Sequence, residues 1–390
     1  MIGPARRVAA GGLQLRLGAA YATYFLALGI QLPYLPLWLQ HQGLGPEAIG
    51  VALAVPMVTR LVATPVLGLL SDRLGRPKAL LAVLSVLTAA GMVALAASGS
   101  AFAIFVVLGL MAMSWYPGLS LLDSYTSRQA RAGRGDYGRA RQWGSGSFLV
   151  ANLIGGWLVG ATGAGAVVLL MLAGQLTHVG ATLALPELPR GARQPSPLSG
   201  RAARLGLLAG ILAAALVQAS HAQFYAFASV HWAQQGYALG TIGLLWAVGV
   251  AAEMVMFRFG SRVVVRFGPH LLIVAGGLVA VVRFAALAAD PPFALLLPLQ
   301  LLHAFTFGAT YLGTVELIAR SVSEHRAGAG QTAAAWTGGV AMAGANIASG
   351  RLWEAFGPHA FLVSCGIAAA GALLAVAAMR LQPHRSASGG

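Results

Sequence analysis

Charge is the scarcest property of this sequence: 9% of its 390 residues are charged, and only 10 are acidic. Soluble domains carry about a quarter of their residues as charges, so a water-facing globule is excluded. Cysteine occurs once, at Cys365, which rules out an intramolecular disulfide and any cysteine-based metal cluster. A glycine-rich nucleotide-binding loop, a zinc-type His/Glu spacing and a nucleophile elbow are all missing. The sequence therefore gives no indication of an enzyme, and neither a cofactor nor a metal is expected.

Apolar residues fill the space that charge leaves, at 58% of the chain. Twelve runs are long enough to cross a bilayer, near 14–40, 46–70, 79–98, 101–125, 141–162, 165–185, 207–233, 239–258, 269–289, 291–318, 329–354 and 358–379. The expected fold class is an all-α membrane protein, with the lipid bilayer as its medium. A net charge of +15 raises the question of nucleic acid, but the basic residues follow the topology instead. Arg6, Arg7 and Arg16 precede the first run, Arg73, Arg76 and Lys78 follow the second, and Arg128, Arg131, Arg134 and Arg139 follow the fourth. Arg190, Arg193, Arg201 and Arg204 follow the sixth, Arg258, Arg262 and Arg266 the eighth, and Arg320 and Arg326 the tenth, with Arg380 and Arg385 after the last. Linkers on the opposite side, such as 41–47 and 290–292, carry no Lys or Arg. The positive-inside rule then puts both termini in the cytoplasm of a cell whose inner membrane the chain crosses, and no nucleic-acid partner is expected. The first run is too long for a signal-peptide core and is expected to be retained.

Shifting the chain by about 193 residues superposes unrelated landmarks. Gln42 and Gly43 match Gln235 and Gly236, Ile49 and Gly50 match Ile242 and Gly243, Arg73 and Gly75 match Arg266 and Gly268, and Trp143 matches Trp336. Ala151 and Asn152 match Ala345 and Asn346 one residue further on. Such a repeat implies two parallel six-helix bundles, 1–185 and 207–390, with a substrate site at their interface. Residues 186–206, rich in Pro, Gly, Ser and Arg, read as a cytoplasmic connector. Glycines inside the runs, such as Gly155, Gly156 and Gly160, suit close helix packing in lipid.

Between the second and third runs lies GLLSDRLGRPK, residues 68–78. Charges packed that densely mark an aqueous elbow, in which Gly68 and Gly75 allow close approach and a tight turn. Asp72 can pair with Arg73 or Arg76 or face a helix N-terminus. This stretch resembles the signature loop of the major facilitator superfamily of transporters. The resemblance implies a conformational gating role for Gly68, Asp72, Arg73, Gly75 and Arg76.

Ionisable groups at membrane depth cost several kcal/mol unless paired or hydrated, which makes each one a functional candidate. Here they are Arg60, Asp123, Arg141, Glu253, Arg283 and His303, with His221 beside Gln218 and Gln223. At these positions the chain resembles the oligosaccharide:proton symporters typified by lactose permease, and the related 3-phenylpropionic acid transporters. The segments YFLALGIQLPYLPLWL, DYGRARQWGS, HAQFYAFASVHWAQQGY and IGLLWAVGVAAE carry that resemblance. It implies that Asp123 and Arg141 form a charge pair contacting sugar, and that Glu253 is a substrate-binding and coupling carboxylate. It further implies that Arg283 and His303 share in proton coupling. Thr306 stands where lactose permease has its proton-loading carboxylate, and Gln218 and His221 stand for its paired aspartates.

Each residue has a plainer reading. Asp123 with Arg141 could simply steady two helices, His303 could bond a neighbouring helix, and Tyr225, Trp246, Trp115 and Tyr116 could be packing aromatics. Glu253, a carboxylate without a basic partner on its own helix, is the expected proton carrier, with Arg283 as its charge partner. Arg60 is an orphan cation that a substrate carboxylate could satisfy, unless Glu253 or Asp123 pairs with it. The resulting expectation is a monomeric secondary transporter that takes up a small organic solute with a proton. An aromatic carboxylate comes first; a sugar or nucleoside symporter and a drug antiporter are the alternatives. The expected substrate-binding set is Arg60, Asp123, Arg141, His221, Tyr225, Trp246 and Glu253.

Overall fold

The computed structural model describes residues 4–132, 134–187, 201–321 and 327–381, with the side chains of 4–11, 72, 131, 201–204, 261 and 327–329 excepted. Every regular element among them is helical. The helices are α1 (Pro4–His41), α2 (Pro46–Leu74), α3 (Pro77–Ala96), α4 (Ala101–Arg131), α5 (Tyr137–Thr162) and α6 (Val167–Leu183). Then come α7 (Arg201–Ala219), α8 (Ala222–Gln234), α9 (Leu239–Arg258), α10 (Gly260–Phe267) and α11 (Pro269–Ala288). The last are α12 (Phe293–Leu301), α13 (Thr310–Ser321), α14 (Ala327–Phe356) and α15 (Phe361–Leu381). Of the expected connector 186–206, residues 188–200 lie outside the described residues.

Eleven stretches are long and apolar enough to span a membrane. The last of them, Gly330–Leu381, holds most of α14 and all of α15 around a 3-10 turn at Gly357–Ala360, so the expected twelve crossings are accounted for. Two crossings are interrupted. Between α7 and α8 the hydroxyl of Ser220 donates to the Val217 carbonyl at 2.7 Å, and His221 Nδ1 donates to Val217 and Gln218 carbonyls at 3.1 and 3.2 Å. Side chains that take these carbonyls compete with the helix ladder and break it. Between α12 and α13 runs a π-helical turn, Ala304–Ala309, a distortion that recurs at functional sites.

Proline and glycine set the ends. Pro46, Pro77 and Pro269 start α2, α3 and α11, where a missing N–H costs nothing. The six described glycines with left-handed φ fall into three pairs 193 or 194 residues apart: Gly43 and Gly236, Gly75 and Gly268, Gly163 and Gly357. The sequence repeat is therefore also a repeat of backbone turns.

Contacts gather the chain into two units, Met1–Ala192 with Tyr225–Ala247, and Arg193–Phe224 with Val248–Gly390. In the first, α1 packs on α5 and α6, while α4 packs on α2 and α3. Tyr34 of α1 donates its hydroxyl to the Asn152 carbonyl at 2.6 Å. There α5 and the start of α9 touch backbone to backbone: a Cβ at Gly156 would strike the Leu239 carbonyl, and one at Gly243 the Asn152 carbonyl. In the second unit α11 and α15 pack together and α15 packs on α7, around Ile211, Val217, Ile273 and Leu317. Large apolar side chains such as Trp157, Val282 and Leu373 point outward, as membrane helices require.

The elbow after α2 turns at Gly75, whose φ is 63° and whose N–H donates to the Ser71 carbonyl at 3.0 Å. Lys78, at the start of α3, lies 3.8 Å from Glu187. The Asp72 side chain lies outside the described residues. Gly68 differs from the close approach expected of it, because nothing lies within 4 Å of where its Cβ would sit. Gly75→Ala should therefore be destabilising, since a side chain in the left-handed region costs about 1–2 kcal/mol. Gly68→Ala, on an open helix face, should be neutral or stabilising. Thermal unfolding in detergent should give a lowered Tm for Gly75→Ala and an unchanged or raised Tm for Gly68→Ala.

Candidate functional site

Arg60 and Arg141 of the first unit stand at the two ends of a row of aromatic rings. The Arg60 guanidinium on α2 sits over the Tyr116 ring at 5.1 Å from its centroid. Tyr116 stacks on Trp115 at 6.4 Å, Trp115 meets Tyr24 edge-on at 6.3 Å, and Tyr24 meets Phe25 at 5.4 Å. At the other end the Arg141 guanidinium lies 4.2 Å over Phe25 and 5.7 Å from Tyr21. Rings offer a guanidinium a negative face without the desolvation cost of a buried carboxylate. Among the described residues neither Arg60 nor Arg141 enters an ion pair.

The expected partners Asp123 and Arg141 do not meet at ion-pair distance, although the Arg141 charge acts on the Asp123 carboxylate. Asp123 Oδ1 instead accepts from the Tyr21 hydroxyl at 2.6 Å and the Tyr137 hydroxyl at 3.1 Å. Two phenol donors hold the half-buried carboxylate directly, and the Arg141 charge acts on it from beyond ion-pair distance. Charge counting on the sequence missed both tyrosines. The signal was present for Tyr137, which lies one helical turn ahead of Arg141, on the same face of α5. Within the first unit Arg60 makes no ion pair with Asp123 and rests on the Tyr116 ring. Tyr225 and Trp246 stack on each other at 6.0 Å, and the buried Trp246 donates its indole N–H to the Ser229 hydroxyl at 2.9 Å.

In the second unit the polar residues converge where the two interrupted crossings meet. Arg283 of α11 is fully buried. It donates to Gln300 Oε1 at 2.9 Å, His303 Nδ1 at 3.2 Å and Thr306 Oγ1 at 3.4 Å, and its guanidinium lies 4.6 Å over the Phe224 ring. His221 Nε2 lies 2.9 Å from Thr306 Oγ1, and His303 Nε2 lies 3.7 Å from Glu253 Oε2.

Donor and acceptor roles follow from chemistry alone. A guanidinium can only donate, so His303 Nδ1 must accept and its hydrogen sits on Nε2, the nitrogen directed at Glu253. Backbone carbonyls can only accept, so His221 carries its hydrogen on Nδ1 and receives the Thr306 hydroxyl at Nε2. Each lone pair at which either imidazole could take up a proton is engaged. Glu253, whose side chain is 20% exposed, brings two oxygens and hence several acceptor positions to this cluster. Gln300 was not anticipated from the sequence. A glutamine three residues before His303 is the sort of neutral acceptor a buried arginine uses when no carboxylate stands on its helix face.

Over 377 residues the chain is 29% identical to the probable 3-phenylpropionic acid transporter of Escherichia coli (strain K12), covering 94% of this chain and 96% of that one. It is 31% identical over 281 residues to the maltose permease of Geobacillus stearothermophilus, 70% of each chain. Among solved structures it shares the fold of the nucleoside transporter NupG, with a TM-score of 0.76 at 20% identity, over 95% of this chain and 98% of that one. The model of the MFS_1 like family matches residues 14–363, so the chain belongs to that family and is a multi-pass secondary transporter of small molecules, not an enzyme.

Proposed function

We propose that this transporter takes up a small aromatic carboxylate of the phenylpropionate type together with a proton, by alternating access. In this reading 1–185 and 207–390 are the two moving bundles, 186–206 connects them, and the elbow of Gly68, Asp72, Arg73, Gly75 and Arg76 times the movement. The chain works as a monomer in the inner membrane with both termini cytoplasmic. One observation carries the substrate class: Arg60 rests on a ring face, without a carboxylate, at membrane depth. Such a guanidinium can take a carboxylate with two parallel hydrogen bonds, and the ring beneath it can receive the substrate's own ring. Arg141 adds positive potential at the far end of the aromatic row, while Tyr225 and Trp246 offer a stacked apolar surface. The likeness to the phenylpropionic acid transporter supports the same class.

The proton is carried by Glu253. His303 directs an N–H toward the carboxylate and cannot take the proton at Nδ1 while Arg283 donates there. His303 and Arg283 are thus positioning residues in this mechanism, and His221 joins them through Thr306. A second reading, sugar or nucleoside symport, draws on Asp123, whose carboxylate already accepts two hydroxyls, and on the maltose permease likeness. A cationic-drug antiporter is disfavoured by Arg60 and Arg141, which repel such cargo.

Glu253→Gln should leave the protein inserted and abolish proton uptake driven by substrate in vesicles. Alkalinisation at the wild-type rate after substrate addition would move the carrier elsewhere. Arg60→Gln should weaken binding of 3-phenylpropionate by on the order of a hundredfold or more, because truncating one partner of a buried charged pair costs about 3–5 kcal/mol. Its neutral amide should be almost unaffected. Equal weakening of acid and amide would make Arg60 structural, and tight binding of a neutral sugar or nucleoside without acid binding would establish the second reading.

A further inference from the structure

The loop between α9 and α11 is the repeat partner of the elbow between α2 and α3, yet its chemistry differs. At a shift of 193 residues, Arg73 and Gly75 find Arg266 and Gly268, but Asp72 falls on Val265 and Leu69 on Arg262. The acid is replaced by an apolar side chain, and the basic residues shift ahead of the turn: Arg262 appears, while Arg76 and Lys78 fall on Pro269 and Leu271. No Asp or Glu occurs anywhere between Glu253 and Asp290. In the first copy, by contrast, Lys78 reaches Glu187.

This second copy folds into the short helix α10. Its inner face is pinned by Val264, buried with Leu272 and Ala309 and flanked by Val263, Met256 and Leu312. The opposite face shows Arg262 and Arg266, one turn apart, with Arg258 at the end of α9 just before them; all three are exposed. None enters an ion pair among the described residues. Arg262 lies 5.8 Å from the Phe259 ring and Arg266 5.7 Å from the Phe267 ring. Between them Val265 is 81% exposed, and Phe267 and Phe259 are about half exposed, at 49% and 45%.

The exposed guanidiniums are well hydrated in water, but the apolar side chains interleaved with them are not, so bulk water is a poor medium for this face. At a membrane boundary the apolar groups enter the headgroup and acyl border while the arginines gain attraction to phosphate. The helix stands at such a boundary, between the membrane spans Leu239–Arg258 and Pro269–Ala288. We infer that α10 and Arg258 form a binding site for the headgroup of an anionic phospholipid, with Arg258, Arg262 and Arg266 on the phosphate and Val265 and Phe267 in the lipid. This site is separate from the substrate and proton residues, and it stands whatever the cargo.

The probe is phosphatidylglycerol against phosphatidylcholine of the same acyl chains, read by native mass spectrometry of the full chain in detergent. The wild type should retain phosphatidylglycerol in preference. The triple variant Arg258→Gln, Arg262→Gln, Arg266→Gln should lower phosphatidylglycerol affinity by about tenfold or more and leave phosphatidylcholine unchanged. Val265→Asp, which restores the acid of the first repeat copy, should weaken phosphatidylglycerol in the same direction and decides the matter if the triple variant does not fold. No preference in the wild type, or undiminished phosphatidylglycerol binding in the foldable variants, would overturn the site. So would an equal loss on Arg380→Gln, because retention would then belong to surface charge in general.

Discussion

The buried guanidinium of Arg283 is the constraint around which the second unit is organised. A charge without water must be met by acceptors or ring faces on every side, and three helical segments supply them: Gln300, His303 and Thr306 as acceptors, Phe224 and Phe284 as ring faces. Meeting that demand dictates where the helices bend. Thr306 and His303 flank or lie in a π-turn, and His221 reaches Thr306 from the break between α7 and α8. The fixed cation thereby sets the hydrogen position on His303, while the backbone carbonyls at the α7–α8 break set it on His221.

The first unit solves a related problem by other means. Its cations rest on rings and its carboxylate on phenols, so the direct partners of its charges are uncharged, with Arg141 and Asp123 acting on each other only through space. Neutral partners leave the electrostatic potential of the arginines largely intact. An arginine neutralised by a neighbouring carboxylate would have little left to offer an anion; one lying on tyrosine or phenylalanine keeps its full charge available. In the proposed mechanism a division of labour follows, with recognition in one unit and proton handling in the other.

Much of this was legible in the sequence because it depends on composition and period. Long apolar runs separated by arginines give the crossings, and the recurrence at 193 residues gives paired turns such as Gly75 and Gly268, which the backbone then repeats. What escaped depends on which way a side chain turns. Asp123 and Arg141 have opposite charge and suitable spacing, so a pair is the natural expectation; tyrosines from α1 and α5 outcompete it, and their hydroxyls carry no charge to notice. The breaks at Ser220 and at Ala304–Ala309 are hidden likewise, since each lies inside a run whose hydropathy is uninterrupted.

The crossing of α5 and α9 at Gly156 and Gly243 bears on energy conservation. There the two helices meet at their glycines, and the Tyr34 hydroxyl fills the space beside both and occupies the Asn152 carbonyl that water would otherwise seek. A carrier that harvests an ion gradient dissipates it if a file of water threads the protein, because protons hop along such a file faster than any helix can move. In the proposed proton-coupled mechanism, packing peptide against peptide at that level removes the space for the file and serves as electrical insulation, and a side chain at Gly156 or Gly243 forces the two helices apart there.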